Sequence, residues 1–196
     1  MASSVLRAWT VDDFFAWQER QDERYELVGG LPLRMLAGAS NRHDDVVANI
    51  IIALGNRLRG SGCRPFTGDG AVETYPGQIR RPDAGVDCGR RDPNGYRAAD
   101  PRLVVEVMSP STRDFDAIGK LTEYKAIEGL EHILYVEPNH PEVLAYSRGA
   151  ERNWTRARIE VLDGSVPLPA LGIELPLAEI YDGVVFPPSS SRFPPD

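Results

Sequence analysis

The chain has 196 residues, 42% of them hydrophobic and 26% charged, enough for one domain with a real core and short for two. Its formal net charge of −7 counts against a broad, tight, nonspecific nucleic-acid surface, which needs an excess of Lys and Arg; a local basic groove, or a metal ion among clustered carboxylates, stays open. No apolar run approaches the roughly 20 residues of a membrane-spanning helix, and the first ten residues carry no secretory-type apolar segment, so the expectation is a cytoplasmic protein with no membrane partner.

In chain order, Thr10-Val11-Asp12-Asp13 has the form of a capping box with Asp in the Glu position. Phe14, Phe15 and Trp17 follow, which predicts a helix over residues 11–21 with its aromatics on the core. Tyr25-Glu26-Leu27-Val28 and residues 31–37 predict two strands joined at Gly29-Gly30, a hairpin signal. Glu26, among apolar neighbours, reads either as a surface pair residue or as a third acid near a metal. Ser40 predicts the cap of a helix reaching Arg59, with Val46, Val47, Ile50, Ile51, Leu54 and Leu58 as its apolar stripe. His43, in the first turn, reads as a hydrogen-bonding surface or interface residue ahead of a ligand. Gly60-Ser61-Gly62 ends that helix. Residues 64–67 and 71–75 predict strands, and Pro76-Gly77 turns the chain toward Gln78-Ile79-Arg80-Arg81. Cys63 and Cys88 form no metal-ligand cluster and are expected as buried thiols.

The centre of the chain carries the chemistry. Arg81-Pro82-Asp83 heads an apolar-tending run to Cys88, and Pro82 suits a strand start. After a polar loop containing Asn94-Gly95, the run Leu103-Val104-Val105-Glu106-Val107-Met108 predicts a strand buried on both faces. A carboxylate there is costly unless a metal, a cation or hydrogen bonds compensate it. Alone, Glu106 reads equally as such a ligand or as a strand-end residue reaching solvent or an arginine. Asp83 adds weight to the first reading. If the two strands are neighbours, both carboxylates converge at one end of a sheet, as a hard cation such as Mg²⁺ requires. A helix over residues 114–129 follows, with Ile118, Leu121, Tyr124 and Lys125 at three- and four-residue steps and Lys120 beside that face. Residues 133–137 predict a strand stopped by Pro138-Asn139. Residues 143–147, 153–156 and 159–162 predict an antiparallel meander, and residues 175–181 a short helical turn. The last residues, rich in Pro and Ser, read as a disordered tail, which gives one domain over residues 1–185 and a tail over 186–196.

Together, Tyr25-Glu26-Leu27-Val28, His43, Arg81-Pro82-Asp83, the segment from Leu103 through Glu106 to Thr112, and Lys120-Leu121-Thr122-Glu123-Tyr124 resemble the Uma-type restriction endonuclease family, within the PD-(D/E)XK nuclease superfamily. The strand ending at Glu137-Pro138 and the stretch Leu168-Pro169-Ala170-Leu171-Gly172 fit as well. The resemblance runs from about Val11 to Tyr181. It implies an α/β (α+β) fold, with a restriction-endonuclease-like mixed β-sheet flanked by helices and an antiparallel C-terminal meander. It implies Asp83 and Glu106 as metal carboxylates, the Val107 backbone carbonyl as a further ligand, and Glu26 as the N-terminal acid of the site. The superfamily usually places a lysine two residues after the second acid; that position is Met108 here. Lys120, on the following helix, matches the family's displaced lysine. The acidic turn common after the family's first strand is replaced here by Gly29-Gly30-Leu31.

The implied activity is a deoxyribonuclease dependent on Mg²⁺, with Mn²⁺ as a substitute, acting on DNA and working as a homodimer. Asp83 and Glu106 would hold the ion, Lys120 would orient the attacking water, and Glu26 would hold a water or a second metal. Tyr124 falls one turn after Lys120 and would face the same side, with core packing and a satisfied hydroxyl as its first reading. Arg80, Arg81, Arg90, Arg91 and Arg113 are candidate phosphate contacts, with solvated surface as their default. The alternative is a noncatalytic nucleic-acid- or protein-binding module that keeps the nuclease fold.

Overall fold

The computed structural model describes residues 8–35, 40–109 and 116–187. Its elements are α1 (Val11–Gln18), β1 (Tyr25–Val28), β2 (Leu31–Arg34), α2 (Asn41–Arg57), β3 (Arg64–Thr67), β4 (Val72–Tyr75), β5 (Gln78–Arg80), β6 (Ala84–Asp87) and β7 (Pro101–Val107), then α3 (Asp116–Ala126), β8 (His132–Glu137), β9 (Glu142–Arg148), β10 (Trp154–Ile159), β11 (Ser165–Leu168), β12 (Ile173–Pro176) and α4 (Leu177–Ile180).

Both predicted helix caps form. The Thr10 hydroxyl accepts the Asp13 N–H at 3.1 Å, and the Ser40 hydroxyl accepts the His43 N–H at 3.3 Å. Val28 pairs with Leu31 across Gly29 and Gly30, whose φ values of 58° and 77° are what a two-residue type I′ hairpin turn demands. The long helix buries Val46, Ile50 and Leu54 of its predicted stripe, and Ala53 with them.

The strands form a six-stranded sheet in the order β10-β9-β8-β7-β6-β3 and a four-stranded sheet in the order β2-β1-β5-β4. In the larger sheet β7 and β8 are parallel, joined by the crossover helix α3, and the other neighbouring pairs are antiparallel. One face of this sheet packs on α2, α4 and the β11–β12 hairpin; the other carries Val104, Ile133, Tyr135 and Tyr146 against Tyr124 and Leu121 of α3. The smaller sheet packs on Phe14 and Phe15 of α1. The expected mixed sheet and its flanking helices are present, and of the expected meander the antiparallel pair β9–β10 forms.

Some boundaries move. The first helix stops at Gln18, whose side chain turns to the Glu23 carbonyl and the Tyr25 N–H. Residues 153–162 hold one strand rather than two. Val161 and Leu162 imitate a strand in sequence but stand exposed in a turn closed by the Gly164 N–H on the Val161 carbonyl. Phe186, assigned to the tail, packs its ring on Tyr181 at 5.4 Å; the rest of the expected tail from residue 188 lies outside the described residues.

The expected buried thiols are instead a disulfide, Cys63–Cys88. The reason is register. Arg64 pairs with Asp87 at one end of the β3–β6 ladder, which brings the next residue on each strand face to face. The 25-residue separation makes the crosslink worth about 3 kcal/mol in lost unfolded-chain entropy. The cytoplasmic expectation drew partly on unpaired cysteines, and that support is withdrawn.

His132 opens β8 and is 1% exposed. Its Nε2 accepts the Ala170 N–H at 3.4 Å and its Nδ1 lies 3.0 Å from the Ser147 hydroxyl, an arrangement for the neutral ring. Burial lowers its pKa to about 4. The unfolded chain therefore takes up this proton first as the pH falls. The stability linked to His132 is complete above the ordinary histidine pKa and is lost as the pH drops from there toward 4. Its full size is about 3 kcal/mol. We predict that urea unfolding shows a loss of stability between about pH 7 and about pH 4 that is smaller in His132→Gln. Equal pH dependence in the two proteins would show that His132 is not the source.

Candidate active site

Two neighbouring strands bring the predicted acids together. Ala84 of β6 pairs with Val105 of β7, so the antiparallel ladder continued by one residue sets Asp83 opposite Glu106. Asp83 Oδ2 accepts the Val107 N–H at 2.7 Å, which ties the head of β6 to the end of β7. Lys120 reaches the same place from α3. Its Nζ lies 3.3 Å from Glu106 Oε1 and 3.6 Å from Glu26 Oε1. Glu26, Asp83, Glu106 and Lys120, scattered along the sequence, therefore form one connected cluster.

Glu26 arrives from the smaller sheet. Leu27 pairs with Ile79, so Glu26 faces Arg80 across the β1–β5 ladder. Arg80 Nη1 donates to Glu26 Oε2 at 2.8 Å, and the Arg81 N–H donates to Glu26 Oε1 at 3.0 Å. Arg80 also grips Glu123 of α3 with two bonds, Nε to Oε2 at 2.8 Å and Nη2 to Oε1 at 2.6 Å. Thr74 donates its hydroxyl to Glu123 at 3.1 Å. Arg80 and Arg81 are thus buried structural cations, not solvated or phosphate-reaching ones. Arg81 spends its guanidinium on the backbone carbonyls of Tyr25 and Asp69. Arg90 and Arg91 are exposed beyond the far end of β6 from Asp83; Arg113 lies outside the described residues.

Lys120, Glu123 and Tyr124 stand at i, i+3 and i+4 on one face of α3. Tyr124 is fully buried, and its hydroxyl donates to Glu106 Oε1 at 2.6 Å. Core packing with a satisfied hydroxyl, the first reading of Tyr124, is what the structure shows, and Glu106 is the partner. Burial, joined by the Glu106 charge, pushes the Tyr124 pKa well above its ordinary value, so it remains a donor. Glu106 itself is pushed up to about 7. Burial is the largest cause and the Asp83 charge adds to it, while Lys120 and Tyr124 oppose it.

His43 is the residue that sequence reasoning placed too far from the chemistry. Its Nε2 lies 3.4 Å from Asp83 Oδ2, and the ring also bonds the Val107 carbonyl. Burial lowers its pKa, but the Asp83 bond and charge with the Val107 carbonyl outweigh that and raise it. The available signal was its place one turn into a capped helix whose apolar stripe lies on the sheet carrying Asp83.

Among the described residues, no group of three or more His, Cys, Asp or Glu side chains forms a ready-made metal cage. A site of two carboxylates and a backbone carbonyl is nevertheless the hard-oxygen donor set that Mg²⁺ accepts, with waters completing its shell. The repulsion that raises the Glu106 pKa beside Asp83 is what a divalent cation would relieve. The residues fit such an ion.

The fold has a counterpart among solved structures. A crystal structure described as a putative nuclease from Anabaena variabilis superposes with a TM-score of 0.69 at 17% identity, covering 90% of this chain and 99% of that one. A likeness at that identity is one of fold, and it places this chain among nuclease-type folds. Residues 11–178 match the Uma2 family, described as a putative restriction endonuclease, and the chain belongs to that family. An uncharacterized protein of Synechocystis is 28% identical over 177 residues, which cover 89% of this chain and 92% of the relative. Membership supports a nuclease-like function. No helix among the described residues is long and apolar enough to cross a membrane.

Removing Arg80 takes the paired cation from buried Glu123 and leaves Glu26 with only the Arg81 N–H and Lys120. We predict that Arg80→Met destabilises the fold by about 3–5 kcal/mol in urea unfolding. Arg57, whose pair with Glu179 is partly exposed, should lose under about 1 kcal/mol in Arg57→Met. Equal losses would show that the Arg80 network does not bear on stability in this way.

Proposed function

We propose that this chain is a metal-dependent endonuclease that hydrolyses DNA phosphodiester bonds, formed by a single nuclease domain over residues 1–185. The observation that carries the reading is the meeting of Asp83, Glu106 and Lys120 at the adjoining ends of β6 and β7. Asp83, Glu106 and the Val107 carbonyl would hold Mg²⁺ or Mn²⁺, which supplies Lewis-acid polarisation of a phosphoryl oxygen and acidifies water.

The chain's own residues do the rest. Lys120 presents an ammonium beside Glu106, where it orients the attacking water and stabilises charge developing on the phosphoryl oxygens. Glu26 has Arg80 on one oxygen and the Arg81 N–H with Lys120 on the other. Its role is therefore to hold the Lys120 ammonium in place, ahead of holding a second metal. Tyr124 fixes the Glu106 carboxylate by its hydroxyl, and His43 steadies Asp83. These bonds leave the reacting groups little freedom, which is what positioning catalysis requires.

The reading places the chain in the cytoplasm, where DNA is found; the Cys63–Cys88 disulfide would there face a reducing pool. Cutting both strands calls for two subunits. Leu31 and Leu33, exposed on the edge strand β2, support a homodimer.

The test is nicking of supercoiled plasmid. Wild-type protein should nick it with Mg²⁺ or Mn²⁺ and stop when the metal is chelated. Asp83→Asn and Lys120→Ala should each lower the rate by roughly a hundredfold or more. Nicking that survives both substitutions would overturn the assignment of the site. Binding of DNA with no hydrolysis by the wild type would favour the noncatalytic module.

A further inference from the structure

Cross-strand register carries the Glu106 face of the large sheet out to its edge. Glu106 of β7 pairs with Tyr135 of β8, Tyr135 with Leu144 of β9, and Leu144 with Arg158 of β10. Directly paired residues point to the same face, so these four form one row. The next row on that face runs Val104, Ile133, Tyr146 and Arg156. The interior of each row is apolar and packs toward α3. Each row ends on β10 in an exposed arginine.

Two further cations border the same face. The Lys125 ammonium sits 4.5 Å from the centre of the Tyr146 ring. Arg148, which pairs with Trp154, holds its guanidinium 4.7 Å from that ring and donates to the Lys125 and Glu128 carbonyls at the end of α3. The Arg156 guanidinium has no ion pair or hydrogen bond among the described residues. Arg158 touches Glu142 and Glu160 only at 3.4 and 3.5 Å, long contacts that a phosphate can replace. In a chain of net charge −7, these arginines stand on the same sheet face as Glu106, with Tyr135 and Leu144 between.

We propose that Arg156 and Arg158 on β10 form a phosphate-binding strip that seats the backbone of duplex DNA several base pairs from the bond at Glu106. The inference deepens the nuclease reading and rests on it for the location of the scissile phosphate. Three strand spacings of about 4.8 Å separate β7 from β10, roughly 14 Å in all. At about 3.4 Å per base pair that reach is about four base pairs. β10 is also an edge strand, so its outer N–H groups face outward and can add backbone donors to the two guanidinium groups. An acidic chain then binds DNA by a narrow strip, without an overall positive field.

The test is fluorescence anisotropy with a labelled DNA duplex of about 16 base pairs, in chelator so that turnover plays no part, over a series of salt concentrations. Arg156→Ala and Arg158→Ala should each weaken binding severalfold and reduce the slope of log K against log salt by about 1. The pair Arg156→Glu with Arg158→Glu should weaken it more than tenfold, with the thermal melting curve unchanged as evidence of folding. Unchanged affinity and slope in the doubly reversed protein would overturn the strip and leave these arginines as guards against edge-to-edge strand pairing. No duplex binding by the wild type would overturn it too. Because binding is read without metal, a protein that binds through β10 yet nicks nothing keeps the strip and removes the hydrolase reading.

Discussion

The structure depends on one constraint: carboxylates buried together must share a small number of cations. Glu26 and Glu123 both bind Arg80, Glu26 and Glu106 both face Lys120, and Glu106 also takes the Tyr124 hydroxyl. Desolvating such groups costs several kcal/mol each, and only good geometry offsets it. Moving Arg80 or Lys120 would weaken the pairing of two carboxylates at once. The network also joins β1 and β5 of the small sheet to α3, and α3 to β7 of the large one. The two sheets are therefore held in relation by the residues that build the proposed site.

Support for the proposed ligands follows the same logic. Asp83 does not rely on a permanent cation; it is held by the Val107 N–H and by His43. Glu106 is held by Lys120 and Tyr124 on a single oxygen, Oε1. The β6–β7 register ends at Ala84 and Val105, so the Val107 groups on that side lie past the ladder and can serve the site. This is why the Val107 N–H can be given to Asp83. It also leaves the Val107 carbonyl within reach of His43.

The acids were legible in sequence because an ionisable residue inside or heading a buried apolar run is an anomaly that chemistry must explain. Asp83 and Glu106 each stood out in that way, and the two runs proved to be neighbouring strands. Lys120 was legible through family pattern, since helical spacing placed it only beside an apolar face. Arg80 was misread because a short strand flanked by Arg81 and a turn looks solvated; its burial follows from β5 lying between β1 and β4, which only sheet topology reveals. Glu123 was hidden behind Arg80 for the same reason. The disulfide was missed because two cysteines 25 residues apart gain meaning only from the β3–β6 register.

The proposed placement of the active-site lysine on α3 has a consequence of its own. Glu106 and position 108 share a face, and a lysine at position 108 would rise from the strand next to Glu106. Here Met108 occupies the position and packs into the cluster containing Tyr124, Leu121 and Ile133. The ammonium comes instead from α3, so its position is set by how that helix docks and not by the pleat of the strand. A helix can shift or rotate on a sheet far more easily than a central strand can leave its ladder. Something must therefore fix α3 in register, and the residues that do so lie on the same helical face as Lys120. Glu123 locks it to Arg80, and Tyr124 locks it to Glu106. Moving the lysine to a helix is workable because the helix carries its own two anchors within the next turn.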